Sequence, residues 1–306
     1  MMCYLGVQLA KGGNPKALSA ALMSINELIG LTEGPAYSDH STFRDNQDFE
    51  THVFGLFWRS ESSYQKWMTS SLVHGWWESE QRETDEVGYF KEVFTPRITH
   101  FETHYATQEF QGVGHLADTM SGEIAEHAYW GAIRHRIPAA QYDSLSATGL
   151  PEVKIREGST KRQFVIPHDN LCLIRSGQNW EHADSSEIQM YQEIILPSLL
   201  DGMEYLSEEG LDIGCFSNRF VMLLNDDYSM CKQSFGLSYW SGLDALEKWA
   251  ATHKTHLKIF SAAQAYMQRL GSSAKLTTYH EVAVLTADQQ CFEYINCHPH
   301  TGLLSL

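Results

Sequence analysis

Positive charge is scarce in this chain of 306 residues: 22 Lys and Arg stand against 38 Asp and Glu, a formal charge of −16. Without a basic stripe to neutralise phosphates, nucleic acid is not expected as a partner. The acid surplus favours solubility and says little about fold. Cysteine is sparse and scattered: Cys3, Cys172, Cys215, Cys231, Cys291 and Cys297 include no C-x-x-C pair. A chain of this length needs no covalent staples, so reduced thiols in a cytoplasmic protein are the expectation. No apolar run approaches the roughly 20 residues that cross a bilayer as a helix, so no membrane partner is expected. A P-loop and a G-x-G-x-x-G turn are missing, which removes the usual supports for nucleotide binding. Ser176 lies in Leu-Ile-Arg-Ser-Gly-Gln rather than in a G-x-S-x-G elbow, against a hydrolase nucleophile. Without C-x-x-C-H, any haem would be held non-covalently.

Aromatic residues, by contrast, are plentiful, at 12% of the chain, and they reveal a weak internal repeat. Phe54-Gly-Leu-Phe-Trp58 and Phe235-Gly-Leu-Ser-Tyr239 both read as strands, each followed by a helical stretch ending in Lys66-Trp67 or Lys248-Trp249. His74 follows Trp67, and His256 follows Trp249, at the same spacing. Phe90-Lys-Glu-Val93 answers Tyr279-His-Glu-Val282, and Phe101-Glu102 answers Phe292-Glu293. Two copies of a strand–helix–strand unit, residues 1–110 and 120–306, are expected, with the Gly-containing stretch Gln108–Ser121 as linker. Amphipathic helices are expected at Pro15–Leu31 and Ser185–Glu209. The fold class is therefore α+β: duplicated ferredoxin-like modules whose antiparallel sheets face each other as a barrel, with helices outside.

Few side chains suggest chemistry unaided. On a helix expected from Thr255 to Leu270, His256 shares a face with Phe260, Ala263 and Met267. Such a histidine is either a hydrogen-bonded core residue, the commoner case, or a ligand to something buried against that stripe. His280 lies in a β-branched run, Lys275–Leu285, where a strand histidine can serve as an acid or base, although an ordinary strand residue is the commoner outcome. Ser176 can donate a hydrogen bond, and either Arg134 or Arg136 can serve a buried anion. Cys291, Cys297, His298 and His300 match no familiar zinc spacing.

The order of motifs along the chain is more specific. Glu126-His-Ala-Tyr-Trp-Gly-Ala-Ile-Arg-His-Arg-Ile-Pro138, His168-Asp-Asn-Leu-Cys-Leu-Ile-Arg-Ser-Gly-Gln178 and Gly214-Cys-Phe-Ser-Asn-Arg219 resemble the haem-containing aldoxime dehydratases. So do Thr255-His256, Tyr279-His-Glu-Val282 and Phe292-Glu-Tyr-Ile-Asn-Cys-His-Pro-His-Thr-Gly302. The resemblance implies a homodimeric α+β-barrel protein holding one haem b. It implies His256 as the axial ligand of the iron, His280 as distal acid/base, Ser176 as hydroxyl donor, Arg136 as cationic partner and Glu102 as an acid of the same network. The implied reaction removes water from R–CH=N–OH to give a nitrile, the oxime nitrogen binding ferrous iron. A peroxidase or chlorite-dismutase-like enzyme of related fold, or a non-enzymatic haem or gas sensor, is the alternative. The pattern departs at His135, where the family usually carries an acid, and ahead of Tyr4, where it usually carries several dozen more residues. A longer form is accordingly expected to hold haem more tightly and melt higher.

Overall fold

The structure is a computed structural model that describes residues 1–122, 124 and 131–306. The first run of elements is β1 (Met2–Leu9), α1 (Pro15–Ile29), β2 (Tyr37–Arg44), β3 (Glu50–Phe57), α2 (Glu61–Thr69), α3 (Ser71–Glu78), α4 (Gln81–Thr84), β4 (Gly88–Phe94) and β5 (Phe101–Tyr105). A short hairpin follows, β6 (Glu152–Ile155) and β7 (Arg162–Ile166). The second run is β8 (Leu171–Asn179), α5 (Ser185–Met190), α6 (Leu196–Glu208), β9 (Cys215–Leu224), β10 (Met230–Trp240), α7 (Leu243–Thr252), α8 (Lys254–Leu270), β11 (Thr277–Leu285) and β12 (Gln290–Ile295).

Local sequence explains the elements. Asn14 accepts a hydrogen bond from the Lys16 amide and Pro15 opens α1, the residue types that helix starts favour. Leu18, Leu22 and Ile25 then recur at helical spacing and close onto Cys3, Leu5 and Val7 of β1. Alternation along β1 sends Met2 and Tyr4 to the other face, into the interior cluster with Phe57, Phe94, Leu173, Leu237 and Tyr239. Each such side chain contributes about 1.5–3 kcal/mol on burial.

All described strands belong to one antiparallel sheet in the order β5-β11-β8-β10-β9-β2-β3-β1-β4-β12-β7-β6. Within it, β2-β3-β1-β4 and β9-β10-β8-β11 repeat the same order of first, second, third and last strands. The sheet curls, so interior residues of both runs meet in a single cluster. The two sheets expected to face each other as a barrel are joined: β2 and β9 pair at Ser41–Leu223 and Thr42–Met222 and make the sheet continuous. The outermost strands are exchanged: β5, from the first run, extends β11, and β12, from the second, extends β4.

The aromatic repeat holds where helices meet the sheet. Trp58 and Trp67 lie 5.2 Å apart, and Trp240 and Trp249 lie 5.5 Å apart. The Phe-Gly-Leu match, however, is out of register. Phe54 packs in the helix-side cluster whereas Phe235 packs in the interior, because a one-residue slip in a strand exchanges its faces. The expected linker also does more than connect: Gly112, at φ +46°, lets the chain pass against Glu281, whose Oε1 accepts from the Val113 amide at 2.7 Å.

Candidate active site

Strand pairing places the predicted distal residues together. Ser176 of β8 and His280 of β11 are direct cross-strand neighbours, and His104 of β5 lies opposite His280 on its other side. Glu102, two residues before His104 on the same face, reaches His280 diagonally: its Oε1 is 2.9 Å from His280 Nε2. Arg136, in a short 3-10 turn at Ile133–Arg136, donates from Nε to Glu102 Oε2 at 3.0 Å. Its Nη2 lies 3.0 Å from the same His280 nitrogen. Arg134, the other candidate, is committed elsewhere: it binds Glu247 at 2.9 Å and Asp244 at 2.5 Å on α7. Residues Glu126–Trp130 of the motif lie outside the described residues.

His280 Nε2 therefore has a partner in either protonation state. The charged ring donates to the Glu102 carboxylate, and the neutral ring accepts an N–H from Arg136. Burial pushes the Glu102 carboxyl up, yet the hydrogen bonds and charges of His280 and Arg136 together outweigh it and hold it below the usual carboxylate range. It is an ionised anchor at neutral pH.

His256 stands on α8, which packs against α6 and α7. Burial lowers its pKa, the Ala250 carbonyl opposing part of the effect, so the ring is neutral at neutral pH. Its buried Nδ1 has no hydrogen-bond partner. The expected core-facing stripe is not covered by protein: Phe260 and Met267 are 49% and 51% exposed. The sheet beneath the helices of the second run is correspondingly open, with Ile174, Ser176, Thr278 and His280 only half-buried. In the first run the same face is closed. Lys91 pairs with Glu293 at 2.6 Å in the place His280 pairs with Glu102, and the buried Trp77 ring covers that pair, donating to Glu293 at 2.7 Å. A neutral histidine with an unmet buried nitrogen, an uncovered apolar stripe and an open sheet face fit a flat, apolar, metal-bearing group such as haem.

Sequence and structure comparisons show the family. The profile of the haem-containing dehydratases matches residues 3–303. The chain belongs to that family. An aliphatic aldoxime dehydratase of Rhodococcus erythropolis is 42% identical across 99% of this chain and 86% of its own length. One of Pseudomonas chlororaphis is 39% identical over the same shares, and a phenylacetaldoxime dehydratase of Bacillus sp. (strain OxB-1) is 32% identical over 90% of this chain and 79% of its own. The crystal structure of an aldoxime dehydratase in complex with butyraldoxime superposes with a TM-score of 0.92 at 41% identity, covering 99% of this chain and 84% of that one. A second aldoxime dehydratase structure gives 0.91 at 39% identity, over 99% and 86%.

Ser176, His280, Glu102 and Arg136 are thus brought together, with His256 on a neighbouring helix layer. Of the cysteine and histidine residues near the C-terminus, His298 binds Asp45 at 2.7 Å and Cys297 donates to the Tyr89 carbonyl. Sequence reasoning missed His104, whose ring lies 5.3 Å from that of His280. It also missed the buried group Arg175, Asp39, Tyr279 and Glu281 on the reverse face of the sheet. The available signal was a charged residue on each side of the Ser176 and His280 neighbourhood, within otherwise apolar strands. A cavity of about 720 Å³ opens at the β2–β9 seam and holds none of the predicted residues; a smaller one, about 410 Å³, touches Glu102, His104 and Arg136. Of the two, the smaller borders predicted site residues, Glu102 and Arg136. No described helix is long and apolar enough to cross a membrane.

Proposed function

We propose that this chain dehydrates aldoximes to nitriles, with haem b held by His256 and proton transfer carried by His280. The observation that carries this reading is the convergence of Ser176, Glu102 and Arg136 on His280 in a member of the haem-containing dehydratases. Relatives named for aliphatic aldoximes and for phenylacetaldoxime support the substrate class.

Ferrous haem, when bound through neutral His256, supplies an electron-rich iron with an open position able to feed electron density into a breaking N–O bond. The protein's own residues handle the protons. The imidazolium of His280 gives its proton to the departing hydroxyl, which leaves as water. The neutral ring then takes the proton from the neighbouring carbon, so the proton count closes and no net redox change occurs. Glu102 and Arg136 both engage Nε2 of His280 and so orient the ring and stabilise its charge. Ser176, beside His280 on the sheet, donates its hydroxyl to the oxime oxygen and fixes the leaving group. A sensor would need His256 without this assembly.

The repeated strand order supports duplicated ferredoxin-like modules, residues 1–110 and 120–306, fused into one haem-binding unit by their exchanged edge strands. Homodimerisation is proposed on the family resemblance, and a cytoplasmic location on the six free cysteines.

The deciding experiment follows nitrile formation from butyraldoxime and phenylacetaldoxime by dithionite-reduced protein. His280→Ala should retain the Soret band and bind aldoxime, yet lose turnover by about 10²–10⁴-fold. His256→Ala should fold but lose most bound haem. Full turnover in the first variant, or full haem occupancy in the second, would overturn the assignment.

A further inference from the structure

The side chains that face the reaction form one side of a two-sided tile. Register pairs Arg175, Ser176 and Gly177 of β8 with Glu281, His280 and Tyr279 of β11. Alternation sends Ser176 and His280 to the helix side, and Arg175, Tyr279 and Glu281 to the interior. With no side chain on Gly177, the Tyr279 ring lies across it; a Cβ there would be 2.2 Å from that ring. The Tyr279 hydroxyl thereby accepts from Arg175 Nε at 3.0 Å. Arg175 is further held by Asp39 of β2, at 2.7 Å, and by the Phe235 ring of β10, 3.9 Å from its guanidinium carbon. Glu281 accepts from Tyr105 of β5 at 3.1 Å and from the Val113 amide. Every neighbour of the tile is thus tied to its underside.

A closed counterpart without a reactive partner above it is centred on Glu92 of β4. There Glu92 takes both Arg219 nitrogens at 2.5 and 2.6 Å and two tyrosine hydroxyls. The second-half cluster is looser: Asp39 Oδ1 and Glu281 Oε2 are buried without a protein hydrogen-bond donor. Two carboxylates face one guanidinium.

We infer that Arg175 and Tyr279 are positioning residues, clamping β8 and β11 from the interior so that Ser176 and His280 stand in register for the same substrate. This rests on the acid–base role proposed for His280. Tyr279→Phe removes one hydroxyl and little volume; Gly177→Ala pushes the ring off its seat. Both are compared with His280→Ala in haem-loaded protein, using butyraldoxime, by haem absorbance, KM, kcat and the pH profile of kcat. Tyr279→Phe should keep its haem and its KM within about twofold, lose about tenfold in kcat, and shift the pH profile, since sub-ångström misplacement acts on the chemical step. Gly177→Ala should lose more. Unchanged kcat and pH profile in Tyr279→Phe, or a change confined to melting temperature, would make the cluster purely structural and overturn the inference. Turnover surviving in His280→Ala would instead remove the acid–base role beneath it.

Discussion

A carboxylate's neighbours decide whether it anchors a proton or carries one, and three buried acids in this chain show the range. Glu92 is fully paired, Glu102 is held ionised by His280 and Arg136, and Glu281 is pushed up to about 7, chiefly by burial, with Arg175 opposing. A carboxyl raised in the folded state binds its proton more tightly there than when unfolded. Its contribution is therefore full below about 4.5 and is lost as pH rises through about 7. Glu281→Gln keeps an acceptor for Tyr105 and Val113 but cannot ionise. Its melting temperature relative to the parent should rise between pH 5 and pH 8 by a few kelvin, at about 2–4 K for each kcal/mol. An identical offset at both pH values would show that Glu281 does not titrate there.

At the scale of elements, the two tryptophan pairs do the same packing work with different consequences. Trp67 and Trp249 are both buried and each meets a tryptophan at or just past the end of a strand. Only Trp249 touches the predicted ligand: its ring lies 4.7 Å from that of His256, and its Nε1 donates to Thr255. Either residue changed to Ala should cost about 3–5 kcal/mol, read by denaturant unfolding. Haem release to an acceptor protein should accelerate in Trp249→Ala and stay near the parent rate in Trp67→Ala. Equal release rates in both would mean that Trp249 does not orient His256.

For the whole molecule, the exchanged strands govern folding. Residues 1–110 alone would leave β4 without β12 and β5 without β11, and residues 120–306 alone would suffer the converse; each would also expose its half of the interior cluster. The two pieces expressed separately should therefore fail to fold, and the intact chain should melt in a single calorimetric transition. Two resolved transitions, or a folded fragment by circular dichroism and exchange protection, would show the halves to be autonomous.

Much of this was legible in the chain. Strand and helix periods and the Trp-to-His spacing pointed to a repeated α+β architecture, because periodicity is a property of neighbours in sequence, while the family resemblance of the ordered motifs singled out His256, Ser176, His280, Arg136 and Glu102. The tertiary structure alone decided what depends on pairing between distant segments. It gave the reason for Arg136 over Arg134, since only the former meets Glu102, and it moved the Phe-Gly-Leu match out of register. It joined two expected sheets into one and set Arg175 and Glu281 behind the reactive pair. It also closed one half's sheet face under Trp77 and left the other open beside His256, because which faces are covered depends on how helices pack across the sheet, and no local pattern records that.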